Sequence, residues 1–280
     1  MAALLKIGIF DSGIGGLTVA RAIEDTLPGF SFVYFGDTAH LPYGEKSPQL
    51  IRHYASRISH HLLDWGSAII VVACNSASSN ALASVQDAVG PAVPVIDVIS
   101  PVVLEVEQAQ KRFPERPIRV GVIGTRATID SGVYQQALKA VGAHVKSRAT
   151  PLLASAIEEG FAEGQVSEAL LAAYLGDGYF ADVDVFVLGC THYPLIADQI
   201  QAYLSPDTRL LDSPALVARA VSGALGAAMA TPPKDQESVR AFFVSDLTPA
   251  FAAGARRFFG EAVELSERSI WGDQDRNPSA

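Results

Sequence analysis

Two strand-to-loop junctions recur in this chain at nearly one offset. "IGIFDSG" (7–13) is matched by "VGVIGTR" (120–126), an offset of 113, and "VVACNSA" (71–77) by "VLGCTHY" (187–193), an offset of 116. A double recurrence of this kind constrains the chain to two similar units. Cys74 and Cys190, the only two cysteines, fall at the same place in each. Short apolar runs, several of them β-branched, punctuate the whole length: "KIGIF", "FVYF", "AIIVVA", "VPVI", "IRVGVI", "VDVFVLG", "RLL" and "AFFVS". Helical patterns lie between them, which reads as buried parallel strands with helical crossovers. The expected fold is α/β: two similar doubly wound parallel-sheet domains related by a pseudo-two-fold axis, with the active site in the cleft between them. We place the first domain at 1–98 and 212–268, the second at 99–211, and a polar tail at 269–280. "ATPPKDQES" (230–238) reads as a surface loop, and "DQDRNPSA" as a frayed end.

The first junction continues as "IGIFDSGIGGLTVARAI" (7–23), a strand, a Gly-rich turn and an amphipathic helix. That setting suits a phosphate loop, but the spacing does not. A dinucleotide fingerprint starting at Gly13 needs glycine at 18, where Thr18 stands, and the Gly-Lys-Ser/Thr ending of a P-loop is absent. Asp11 would also repel phosphate. Leu17, Ala20, Ile23 and Leu27 form the apolar stripe of the helix, and Ser47-Pro48 begins a second helix that stops near Gly66. On that helix His53, His60 and His61 read as surface or partly buried side chains. Asp37 and Thr38 open the loop "GDTAHLPYGEKSP", long enough to bind a ligand.

A net charge of -9 and a pI near 5.1 argue against nucleic acid or an anionic membrane as partner. The longest apolar runs, such as "AIIVVAC", fall far short of the roughly 20 residues that span a bilayer. "MAALLK" runs into a polar loop without a secretory core, so a soluble cytoplasmic protein is expected.

Each cysteine follows an apolar strand and precedes small polar residues, Asn75 and Ser76 in one case, Thr191 and His192 in the other. A lone buried cysteine commonly just fills space; two at matched positions point to chemistry. A disulfide lacks a CxxC motif, and zinc would need further ligands beside Cys190 and His192. Proton transfer on both faces of a carbon fits best, because inverting a stereocentre by deprotonation needs a base on one face and an acid on the other. Ionising a thiol of pKa about 8.5 at pH 7 costs roughly 2 kcal/mol, which a helix N-terminus can largely offset. Sulfurs each roughly 3 to 3.5 Å from the reacting carbon stand too far apart to form a disulfide.

"FDSGIGGL", "FGDTAHLPYG", "ACNSAS", "GCTHYPL" and "DSPALVARAV" resemble, in order and spacing, the successive motifs of the glutamate racemase family. The resemblance implies interconversion of L- and D-glutamate without a cofactor, supplying D-glutamate for peptidoglycan, by a homodimer. It makes Cys74 and Cys190 the acid/base thiols, with Asp11 assisting Cys74 and His192 assisting Cys190. It assigns Ser12, Tyr43, Gly44, Asn75, Ser76 and Thr191 to the substrate, and matches Glu158 to a glutamate that approaches the histidine. Thr125, the repeat counterpart of Ser12, is either a further hydroxyl at the site or a helix cap. The sequence departs from the family at Ser76, where Thr is usual, at His40, where Arg is commoner, at Ser100 and in "ASA" (154–156). Other racemases of small acids, for aspartate or hydantoins, share the two-thiol chemistry, and a non-catalytic metabolite-binding protein is the reading from another class.

Overall fold

A computed structural model describes residues 6–226, 238–261 and 263–272, and every strand pairing in it is parallel. The first stretch runs β1 (Lys6–Asp11), α1 (Leu17–Thr26), β2 (Ser31–Gly36), α2 (Pro48–Asp64), β3 (Ser67–Val72), α3 (Asn75–Val89), β4 (Val95–Asp97) and α4 (Ser100–Gln110). The second runs β5 (Arg119–Gly124), α5 (Arg126–Asp130), α6 (Val133–Ala140), β6 (His144–Ala149), α7 (Leu153–Glu158), α8 (Gln165–Leu175), β7 (Val185–Gly189), α9 (Ala197–Gln201) and β8 (Arg209–Leu211). The chain then passes through α10 (Ser213–Leu225), which packs on α1, and finishes with β9 (Arg240–Val244), α11 (Pro249–Phe259) and β10 (Leu265–Glu267).

The strands form two sheets, ordered β10-β9-β2-β1-β3-β4 and β6-β5-β7-β8. Four strands of the first, β2-β1-β3-β4, have the order of the whole second sheet, so the sequence repeat is a repeat of topology: β1 corresponds to β5 and β3 to β7. The apolar runs follow from this. β1, β2, β3 and β7 carry helices on both faces and are buried along nearly their whole length. Two strands went unread in the sequence. β6, "HVKSRA", and β10, "LSE", are edge strands with one side toward water, and neither has an apolar run to announce it.

Helix α2 starts as the sequence predicts: Pro48 is its first residue and the N–H of Leu50 donates to Ser47 Oγ at 3.4 Å. Leu17, Ala20 and Ile23 are buried on α1. The expected polar tail needs correction at its start. Ile270 and Trp271 are buried against Tyr54 and α2, and Arg57 donates to the Ile270 carbonyl. Their aromatic and aliphatic bulk outweighs the charges that follow them in sequence. Residues 273–280 and most of 230–238 lie outside the described residues. Among the described residues no helix is long and apolar enough to cross a membrane.

Candidate active site

The carboxyl ends of β1, β3, β5 and β7 deliver Asp11, Cys74, Thr125 and Cys190 to one place. Every residue that the sequence assigns to catalysis, to the substrate or to their support lines the same cleft: Asp11, Ser12, Cys74, Asn75 and Ser76 from β1, β3 and the turns and helix start that follow them, Tyr43 and Gly44 from the segment after β2, and Thr125, Glu158, Cys190, Thr191 and His192 from the second half. Gly13, Leu41, Pro42, Ala154 and Ser155 complete the lining. A wider groove beside β4, lined by Leu82, Leu104 and Leu216, holds neither thiol.

The Gly-rich turn at the start of α1 is already occupied. The N–H of Gly16, at the helix cap, donates to Asp11 Oδ2 at 2.7 Å, so the donor that a phosphate would use holds a carboxylate. The glycines are there for close approach. A Cβ on Gly16 would stand 2.6 Å from that of Asp11, and a Cβ on Gly15 would be 2.5 Å from Thr191 Oγ1 and would overlap the His192 ring. The carbonyl of Gly13 accepts the Tyr34 hydroxyl at 2.9 Å, which pins the turn from below.

The two thiols are both buried, yet their surroundings differ. Cys74 caps α3 and donates to Ser12 Oγ at 3.7 Å, and the N–H of Ala77 points at its sulfur. By itself that helix N-terminus favours a thiolate. Burial, reinforced by the charge of Asp11, outweighs it and pushes the thiol up to about 12. Asp11 is itself shifted up by burial, against the opposing pull of His192 and the Gly16 N–H. Cys190 does not cap an α-helix; a short 3-10 turn, Tyr193–Ile196, follows it. Its sulfur instead lies 3.6 Å from His192 Nδ1, and His192 Nε2 lies 3.6 Å from Glu158 Oε2. Burial alone would lower the imidazole, but Cys190 and then Glu158 outweigh it and raise His192 well above its ordinary value. One thiol is thus held protonated and the other sits beside a cation. Alkylation of Cys74 by iodoacetamide in the ligand-free protein is expected to stay slow at pH 8 and keep climbing toward pH 12, because the raised value preserves the unreactive thiol. Peptide mapping across pH checks this, and a plateau near pH 9 would contradict it.

The candidate donors line the same cleft as the thiols. Asn75 Oδ1 accepts the Tyr134 hydroxyl at 2.8 Å, while its Nδ2 is buried with no protein partner. Ser76 Oγ and Thr125 Oγ1 are 2.8 Å apart. Thr125 fills both sequence readings at once, since the Thr128 N–H donates to its Oγ1 at the start of α5.

Sequence reasoning missed the support of the binding loop. Asp37, fully buried, accepts from Tyr43 at 2.6 Å, Ser245 at 2.8 Å, Trp271 Nε1 at 2.9 Å and His40 Nδ1 at 3.0 Å. Its partners come from as far as Trp271, so only the loop's length hinted at a role. His40 also stacks on Tyr54 and faces away from the cleft, and Ser100 donates to Asp97 at 2.6 Å. Of the departures, those that reach the cleft are Ser76 and, within "ASA", Ala154 and Ser155. His53 and His60 are exposed and His61 is partly buried.

A family model described as Asp/Glu/Hydantoin racemase matches residues 16–221. The chain belongs to this racemase family. A glutamate racemase of Aquifex aeolicus is 43% identical over 78% of this chain and 82% of its own, and one of Geobacter metallireducens is 39% identical over 91% and 92%. Among solved structures, glutamate racemase from Francisella tularensis in complex with D-glutamate superposes with a TM-score of 0.86 at 32% identity, covering 95% of this chain and 98% of that one.

Proposed function

We propose that this protein is a glutamate racemase that interconverts L- and D-glutamate by proton transfer between Cα and two thiols, Cys74 and Cys190. The observation that carries the reading is the pair of buried thiols from the two halves of one cleft, Cys74 lining it with Asp11, and Cys190 with His192 Nδ1 at 3.6 Å from its sulfur. Glutamate, rather than another small acid, is favoured by the relatives named above, which are glutamate racemases over nearly their full length.

An amino-acid Cα–H is a very weak acid, so the carbanion needs donors on the substrate carboxylate and exclusion of water. Asn75 Nδ2 is a buried donor free to serve, with Ser76 and Thr191 beside it. In one direction Cys190, hydrogen-bonded by His192, takes the proton: the Cα–H bond breaks and an S–H bond forms. Cys74 then gives its proton to the opposite face, so the new Cα–H has inverted configuration and Cys74 is left as the thiolate. In the other direction the roles exchange. Burial and the Asp11 charge hold Cys74 as the thiol in the empty site, so its turn as base needs these to be offset when substrate binds. Asp11 assists Cys74 and His192 assists Cys190. Supply of D-glutamate for peptidoglycan, a cytoplasmic location and a homodimer belong to the same reading.

The test is incubation with L-glutamate, and separately L-aspartate, in D₂O without added cofactor, following optical rotation and deuterium at Cα. Loss of rotation with deuterium uptake from glutamate alone is expected. Exchange with aspartate alone would reassign the substrate, and exchange with neither would end the racemase reading.

A further inference from the structure

We propose that Tyr134 is a positioning residue for the reaction: its hydroxyl fixes the Asn75 amide with the carbonyl turned inward and the N–H₂ turned toward the substrate. The proposal rests on the reading of Asn75 as a substrate donor. Tyr134 belongs to α6 in the second half and is fully buried, yet its hydroxyl reaches Asn75, the first residue of α3 in the first half, at 2.8 Å. Asn75 directly follows Cys74. The Tyr134 ring also reaches the second thiol's turn, since a Cβ on Gly189, the residue before Cys190, would stand 3.5 Å from Tyr134 Cε2. One side chain therefore bonds the residue after one thiol and fills the space beside the residue before the other.

An amide presents an acceptor at one end and a donor at the other, and a carboxylate ligand accepts only from the donor. Burial raises the Tyr134 phenol, so the hydroxyl remains a donor at neutral pH. It donates to Oδ1, which leaves Nδ2 as the end without a protein partner. With the amide flipped, the cleft would face a carbonyl oxygen, which repels a carboxylate, and the Tyr134 hydrogen would have to turn from Asn75 to the neighbouring Ser213 hydroxyl.

The test is a double-mutant cycle of Tyr134→Phe and Asn75→Ala, with kcat and KM measured in both directions and thermal stability alongside. Y134F is expected to raise KM about tenfold with a smaller fall in kcat, the size of one lost hydrogen bond. N75A should raise KM at least as much, and the double variant should match N75A alone. Additive losses, or a Y134F variant with unchanged KM, would overturn the proposal. An N75A variant with wild-type kinetics would instead remove the reading on which it rests. A tyrosine that only fills space would lower stability and still act in the N75A background. Wild-type protein supplies a measurement that needs no variant to fold. With ¹⁵N-asparagine label, a side-chain N–H₂ pair of one of the three asparagines should shift on saturation with D-glutamate. If none moves, the N–H₂ faces Tyr134 rather than the cleft, and the proposal fails.

Discussion

Cys74→Ser and Cys190→Ser are each expected to lower racemisation by roughly 10³-fold or more in both directions, with the fold retained. The range follows from the size of general acid–base effects, roughly 10² to 10⁴, and from the serine hydroxyl being far too weak an acid to ionise in a buried site. Inversion needs both thiols in every turnover, so neither direction is spared. Exchange is a different matter. The remaining thiol still faces one side of Cα, so it can remove hydrogen from one enantiomer and return deuterium to the same face. Each variant should therefore incorporate deuterium into one enantiomer without inverting it, and the two variants should favour opposite enantiomers. Proton NMR in D₂O at matched enzyme concentration reads this directly. A variant with unimpaired inversion would take its thiol out of the mechanism. Both residues are buried and similar in volume to serine, so equal thermal unfolding of variant and parent separates chemistry from folding.

Gly15→Ala is expected to cost about 10²-fold in kcat/KM. The backbone of Gly15 does not lie in the left-handed region, so the added methyl acts by bulk alone. That methyl would overlap the His192 ring and crowd Thr191 Oγ1, pushing the Asp11 turn and the Cys190 turn apart. A displacement near 1 Å between reacting groups can cost about 10²-fold in rate. Overpacking should also lower stability by about 1–3 kcal/mol. Gly223→Ala in α10, where a Cβ would meet nothing within 4 Å, is the matched control, expected to leave activity unchanged. Wild-type kcat/KM in G15A would mean that the two turns do not need this approach.

The repeat was legible because strand-to-loop junctions are local: β1, β3, β5 and β7 each announce themselves by a buried apolar run ending in small polar residues. Edge strand β6 was not, since a strand half in water needs no such run. At the site, the family motifs and the repeat brought both thiols and their polar neighbours to the cleft, yet the partners of Asp37 and the parts played by Tyr134 and Trp271 stayed hidden. The groups that Asp37 and Tyr134 bond lie 3 to 234 residues away, and no short pattern joins Trp271 to Asp37 or Tyr134 to Asn75.

Two topologically equivalent halves, a cysteine at the same strand end in each, and a Gly-rich turn whose spacing and Asp11 exclude phosphate all follow from the order of the residues alone. Apolar periodicity and residue identity act over a few residues, which is why they can be read directly. The surroundings that set each thiol apart came from packing. Helix-end position favours ionisation of Cys74, but burial and the nearby Asp11 reverse that, while Cys190 gains a histidine cation in place of a helix end. Desolvation and charge proximity depend on what the whole chain packs around a group, and that is set only when the two halves close on each other.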